Sequence, residues 1–274
     1  MTKDPSIPSG EKPRVYIGIP TGPPKAYALA YMFAALQNLN YPNREIHFAA
    51  TRYRGGYKPE EGFPERIRKM LDAIPLGCDA AIHNCYLDEE DMKPYGPVLR
   101  NLALLRGDFL DGGCDYFLLL GGDNPPPRET VNRLMKLEAD VACGLVYQRP
   151  FRGIGGNAYP LVYTYSWCLD ELPKGLPEPV MDEFRKAWKA SMFYLPIYLD
   201  PDWQTGKILD RFASGSGCTL IRRRVLENVG FHLPHSQYHS EDINFFTHAF
   251  YQGYSTKCDL GFRVPHHDES GEAY

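Results

Sequence analysis

Between residues 15 and 147, short β-rich apolar runs alternate with segments of helix length, and that alternation is the tightest constraint the chain carries. Runs at 15–19, 45–50, 80–83, 116–120 and 141–147 predict strands; segments 26–36, 64–73, 97–110 and 129–137 predict helices. Parallel strands must be joined by a crossover, usually helical, so this order predicts an α/β fold whose mostly parallel central sheet is flanked by helices. A sheet covered on both faces needs uninterrupted apolar strands, and Tyr116-Phe-Leu-Leu-Leu120 is one. Ligands of such sheets collect beyond the carboxyl ends of the strands. The loops after Ile19, Ala50 and Leu120 are therefore where chemistry is expected.

After Tyr147 the texture changes. Residues 148–210 are rich in Pro, Gly and aromatic side chains and show no clear strand alternation, which predicts an insertion or lid with one helix near 180–192. Order returns at 213–221, followed by helices at 222–229 and 241–252 and a strand at 255–260. Residues 1–13 lack an apolar core and predict a loose arm instead of a secretory signal. The longest apolar run, 26–36, falls well short of the roughly 20 residues that cross a bilayer as a helix. With 30 basic against 34 acidic residues the net charge is -4, so no global attraction to nucleic acid or to an anionic membrane is expected. Seven cysteines, with no CxxC pair, suggest neither a disulfide framework nor a thiolate zinc site and fit a reducing cytoplasm.

Three places could carry chemistry. Asp123 follows the apolar strand in a Gly-Gly-Asp-Asn-Pro-Pro-Pro loop, where a carboxylate can bind a hard divalent cation or merely cap the following turn. Ser240-Glu241-Asp242 opens a helix, where acids are favoured by the macrodipole; alternatively one of them faces a pocket as a general base. His266 and His267 adjoin Asp268 and Glu269, and adjacent residues of an extended chain point apart, so one of the two at most is expected to be a ligand. Ser214-Gly215-Ser216-Gly217 would allow close backbone approach to a ligand, or is simply a turn. Gly153-Ile-Gly-Gly156 lacks the strand-to-helix context of a dinucleotide fingerprint, and there is no GxxxxGK[ST], GxSxG or HExxH.

Taken in order, these pieces resemble the GT-A nucleotide-sugar glycosyltransferases, in particular the broad family 2-like group. Ile19-Pro20-Thr21 resembles the first nucleotide-contacting loop and Arg100-Asn101 the Arg-Asn pair of that group. Residues 116–127 resemble its apolar strand and DxD loop, 215–226 its glycine-rich segment running into "IRR-VLE", and 240–246 with Gly253-Tyr254 its ED helix. His266 falls where the group places a late metal-binding histidine. One departure stands out: the chain has Gly121-Gly122-Asp123 where the group has Asp-x-Asp.

The resemblance implies a single GT-A domain over 14–274, with a nucleotide-binding half (14–147), an insertion (148–212) and an acceptor and catalytic half (213–274). It implies Mn2+ or Mg2+ on Asp123 and His266, a UDP- or GDP-type sugar donor near Pro20, Thr21, Arg100, Asn101 and Asp123, and a glycan or other hydroxyl acceptor. Asp242 would be the base of an inverting transfer and Glu241 its support, with Gly215, Ser216 and Gly217 as substrate contacts. Outside the resemblance, Trp203 in the aromatic-rich insertion offers a face for an acceptor sugar, or packs in the insertion's own small core. Two other readings stay open: a degenerate domain that binds nucleotide or glycan without turnover, and a nucleotidyltransferase, for which the 20–24 loop has only Lys25 as a basic neighbour.

Overall fold

The structure is a computed structural model and describes residues 12–53, 62–87, 96–148, 159–160, 162–165, 194–196, 207–210, 212–232, 240–270 and 273. The amino-terminal half alternates as expected: β1 (Val15–Thr21), a 3-10 turn (Pro23–Ala28), α1 (Leu29–Asn38), β2 (Arg44–Tyr53), α2 (Phe63–Ala73), β3 (Asp79–Leu87), α3 (Gly96–Asp111), β4 (Tyr116–Leu120), α4 (Thr130–Met135) and β5 (Val141–Gln148). Consecutive prolines explain why the segment after β1 starts as a tight 3-10 turn and becomes α-helical only at Leu29. Short strands follow: β6 (Tyr159–Pro160), β7 (Val162–Tyr165), β8 (Tyr194–Pro196), β9 (Ile208–Asp210) and β10 (Phe212–Ser214). Last come β11 (Cys218–Arg222), α5 (Arg223–Asn228), α6 (Glu241–Tyr251) and β12 (Thr256–Val264).

The main sheet runs β3-β2-β1-β4-β11-β5-β12-β9, with β6 paired to β5; a second, three-stranded sheet runs β10-β7-β8. Strands β3, β2, β1 and β4 are mutually parallel, as are β5 and β12. Antiparallel β11 separates the two parallel groups, pairing with β4 on one side and β5 on the other. The sheet is thus mixed. Strands β6 to β9 lie in 148–210, where the sequence shows no clear strand alternation; strands of two to four residues are too short to leave one. The helix expected at 180–192 lies outside the described residues.

Alternate strand residues feed two cores. Val15, Ile17, Ile19, Ile46, Phe48, Leu118 and Leu120 pack with α1, α2 and α4 on one face. Tyr16, Phe117, Leu119, Cys143 and Ile221 pack with α3, α5 and α6 on the other. All five residues of β4 are buried, which is why its sequence shows no polar alternation. No helix among the described residues is long and apolar enough to cross a membrane.

The run of arginines entering α5 is structural. Arg222 lies over the Tyr116 ring, 5.3 Å from its centroid, and Arg224 pairs with buried Asp140 at 2.5 Å. Arg223 donates to the carbonyls of Phe109, Leu110, Gly112 and Cys114, at 2.7–3.1 Å, and so caps the carboxyl end of α3. A guanidinium there both satisfies orphan carbonyls and meets the negative end of the helix dipole. Arg223→Ala is expected to cost about 2–4 kcal/mol in urea unfolding, with Arg223→Lys recovering only part of it, since a single ammonium cannot span four acceptors.

Candidate functional site

Because β1 and β4 are parallel neighbours, the loops that leave their carboxyl ends lie side by side. Lys25 and Tyr27, in the turn after β1, reach Asp123 in the loop after β4. Three groups converge on Asp123 Oδ2: the Lys25 ammonium, the Tyr27 hydroxyl at 3.0 Å and His266 Nε2 at 3.0 Å. Asp123 is buried. Burial alone would raise its carboxyl, but the His266 hydrogen bond and the Lys25 charge more than offset this and hold it at about 2. The loop is anchored to the last strand by backbone too, with His267 N–H donating to Asp123 O at 3.0 Å.

The two adjacent histidines point apart. His266 Nδ1 lies 2.7 Å from the Tyr147 carbonyl, whereas the His267 ring stacks on Tyr31 with centroids 4.1 Å apart. Burial would lower the His266 pKa, yet its bond to Asp123 raises it. When neutral, the ring donates Nδ1–H to Tyr147 and turns the Nε2 lone pair toward Asp123 Oδ2, the arrangement of a histidine metal ligand with its outer partner. A carboxylate oxygen and an imidazole nitrogen 3.0 Å apart fit two neighbouring positions around one cation. The Lys25 ammonium shares that oxygen, so a metal ion there would exchange with it.

The two glycines of Gly121-Gly122-Asp123 are closely packed. A Cβ at Gly121 would lie 2.2 Å from Asn124 Oδ1, and one at Gly217 would lie 2.7 Å from the same atom. A Cβ at Gly122 would crowd Pro20 O at 3.1 Å and Thr21 Oγ1 at 3.0 Å. The Asn124 carboxamide fills the space above both glycines, and its Nδ2 donates to Pro265 O at 3.3 Å. Asn124 thus sits in the space a side chain at position 121 would need.

On the other side, Ser240 caps α6, its hydroxyl accepting from Ile243 N–H. Asp242 accepts hydrogen bonds from the Ser216 hydroxyl and backbone. The next residue, Gly217, accepts from Gly121 N–H at 3.0 Å, so the 215–217 turn bridges from Asp242 to the Asp123 loop. Burial raises the Asp242 carboxyl despite the Ser216 bonds, and burial plus the Asp242 charge push Glu241 up to about 7. Glu241 Oε2 and Asp242 Oδ1 are buried without a hydrogen-bond partner among the described residues.

Thr21 and Asn101 are buried where β1 and β2 end; Asn101 Nδ2 donates to Thr51 Oγ1 at 3.0 Å and lies 3.4 Å from Thr21 O. Thr21 Oγ1 and Asn101 Oδ1 have no hydrogen-bond partner among the described residues. Pro20 sits half-buried beside Gly122, and Arg100 is exposed on α3. Trp203 lies outside the described residues. The sequence reading named Lys25 only as a basic neighbour of the 20–24 loop and gave Tyr27 and Asn124 no role, because a single lysine, tyrosine or asparagine in a proline-rich loop carries no spacing signal. Their one available clue was position beyond the ends of β1 and β4.

No protein-family model and no curated protein matches the chain. Among solved structures it is similar to A197 from STIV, at 15% identity, covering 95% of this chain and 88% of that one, with a TM-score of 0.44. It is similar to TarS 1–349 of S. aureus at 11% identity and a TM-score of 0.47, covering 92% of this chain and 59% of that one. A glucosyl-3-phosphoglycerate synthase from Mycobacterium tuberculosis, in complex with Mn2+, UDP and phosphoglyceric acid, matches at 12% identity over 94% of this chain and 72% of that one, with a TM-score of 0.45. Likeness at this level attaches no residue role to this chain.

Because the folded pKa of Glu241 lies above its unfolded value of about 4.3, the folded state binds the extra proton and loses stability as pH rises from about 4.3 to about 7. Glu241→Gln is expected to gain about 1–3 kcal/mol over the wild type at pH 8, with the gain vanishing at pH 4. Denaturant melts at the two pH values check both sign and window.

Proposed function

We propose that the chain is a glycosyltransferase that moves a sugar from a nucleotide-diphospho donor of UDP or GDP type to an acceptor hydroxyl, with metal assistance and inversion. The observation that carries this reading is the meeting of Lys25, Tyr27 and His266 on one oxygen of Asp123, tied through the Ser216-Gly217 turn to a carboxylate made more basic by burial. Donor transfer demands both halves: positive charge where the diphosphate departs and a base where the hydroxyl attacks.

In this reading Asp123 and His266 hold Mn2+ or Mg2+, which when bound neutralises the charge developing on the leaving diphosphate. Lys25, released from Asp123, turns its ammonium to the same phosphates. Thr21 and Asn101 set the floor on which the nucleoside rests, beside Pro20 and Arg100. Asp242 takes the proton from the acceptor hydroxyl as its oxygen bonds to the anomeric carbon and the bond to the diphosphate oxygen breaks, the electron pair leaving with the nucleotide. Glu241, its carboxyl pushed up to about 7 by burial and the Asp242 charge, carries less negative charge beside that base than an ordinary glutamate would. Gly215, Ser216 and Gly217 bring backbone close to the substrates, and Trp203 offers an aromatic face to the acceptor.

A second reading, a domain that binds nucleotide without turnover, is favoured by the Lys25–Asp123 ion pair, which supplies a cation without any metal. Calorimetry with UDP and GDP, each with and without Mn2+, separates the two. Binding of one nucleotide, strengthened by Mn2+, is expected; no binding of either under both conditions overturns the assignment. Asp123→Ala should weaken Mn2+-dependent binding about tenfold or more. Asp242→Asn should leave nucleotide affinity unchanged and lower transfer by about 10²–10⁴. Turnover near wild type in that variant would show that another group is the base.

A further inference from the structure

A second cluster of ligand-bearing side chains lies beneath α3 and shares no residue with the site above. Strands β2 and β3 pair in parallel with His47 opposite Ala81 and Ala49 opposite His83. Residues two apart on a strand face the same way, so both histidines project from one face, the one that α3 covers. Asp108, near the carboxyl end of α3, meets them there. His47 Nδ1 lies 2.9 Å from His83 Nε2 and 3.1 Å from Asp108 Oδ2, and His83 Nε2 lies 3.4 Å from the same oxygen. The three atoms form a nearly equilateral triangle.

Hydrogen bonding satisfies such a triangle poorly. A proton on one imidazole nitrogen directed at the other leaves a lone pair facing the carboxylate oxygen, and two protons directed at the carboxylate leave two N–H groups against each other. A cation resolves every edge at once. Around a tetrahedral ion with bonds of about 2.0–2.1 Å, neighbouring ligand atoms are about 3.3 Å apart, close to the spacing seen here. The surroundings are those of a metal centre. The other nitrogen of His47 faces Glu45 Oε1 at 3.4 Å, and Glu45 is itself held by Arg14 at 2.6 Å; a carboxylate behind a histidine fixes its ring for coordination. The Tyr16 hydroxyl donates to Asp108 Oδ2 at 2.9 Å, and the Tyr16 ring stacks on His47 at 4.0 Å. The side chains of His47, His83 and Asp108 are 15%, 22% and 37% exposed, so an ion can enter and water can complete its shell.

We propose that His47, His83 and Asp108 form a binding site for a divalent transition-metal ion of the zinc class. Two imidazoles with one carboxylate suit such an ion, whereas Mg2+ and Ca2+ favour all-oxygen sets. Bound there, it pins the edge strand β3 and strand β2 to α3, the helix that also delivers Asn101 to the ends of β1 and β2.

The test uses the full chain after chelator treatment, titrated with Zn2+ by calorimetry and with Co2+ by visible absorption. At least one equivalent is expected to bind in the wild type, with the intense visible bands of tetrahedral Co2+ and a rise in Tm on adding Zn2+, and Asp72→Ala, an exposed acid on α2 outside both sites, should bind the same. His83→Ala and Asp108→Asn should each weaken binding tenfold or more and abolish that rise. His83→Gln, which keeps a polar group on the half-exposed edge strand, provides a folded control with the same expected loss. The proposal is overturned by absence of uptake in the wild type, by uptake undiminished in the His83 and Asp108 variants, or by Mg2+ binding as tightly as Zn2+. Nucleotide binding is not read in any of these experiments, so their outcome stands apart from the glycosyltransferase assignment.

Discussion

The position of β11 is the constraint on which the rest depends. By running antiparallel between β4 and β5 it joins two parallel groups of strands into one sheet and sets Cys218 opposite Leu120. That register brings the Gly217 carbonyl to the Gly121 N–H, so the turn before β11 and the loop after β4 form one backbone unit. Asn124 then seals it by occupying the space above Gly121 and Gly217. A side chain at either position would need the Asn124 carboxamide to shift. Lys25 brings a positive charge to Asp123 in the same loop.

Charge placement follows from the same topology. Asp123 is buried and would resist ionisation alone, but neighbouring loops deliver a lysine, a tyrosine and a histidine to one of its oxygens. Asp242 and Glu241 are treated in the opposite manner: burial holds both carboxyls above their usual range, and the Asp242 charge adds to the rise at Glu241. One carboxyl is held ionised and the other two are held above their usual range.

Much of the architecture was legible because its signals are local. The alternation over 15–147, the buried run of β4 and the Ser240 cap each depend on residues close in sequence, and the observed elements lie within a few residues of the expected ones. The antiparallel course of β11 was not legible, since pairing direction is decided by partners about 80 and 100 residues away. Nor did sequence distinguish the arginines of 222–224 as helix caps and ion-pair partners; they read as part of a family-like segment until Phe109, Leu110, Gly112 and Cys114 were seen to accept from Arg223. His47, His83 and Asp108 form no motif, and only the β2–β3 register and the docking of α3 put their ligand atoms within one ion's reach.

By itself, then, the sequence determined the α/β class, the order of its elements, the loops in which Asp123 and His266 stand and the helix start that carries Asp242, because periodicity, capping and turn chemistry act over a few residues. The tertiary structure decided what those side chains face: Lys25 and Tyr27 against Asp123, Ser216 against Asp242, and a histidine pair beneath α3. The physical reason is range. Hydrogen bonds and charge interactions that set ligand geometry and pKa act over a few ångströms in space, and only the packed sheet converts distances along the chain into those distances.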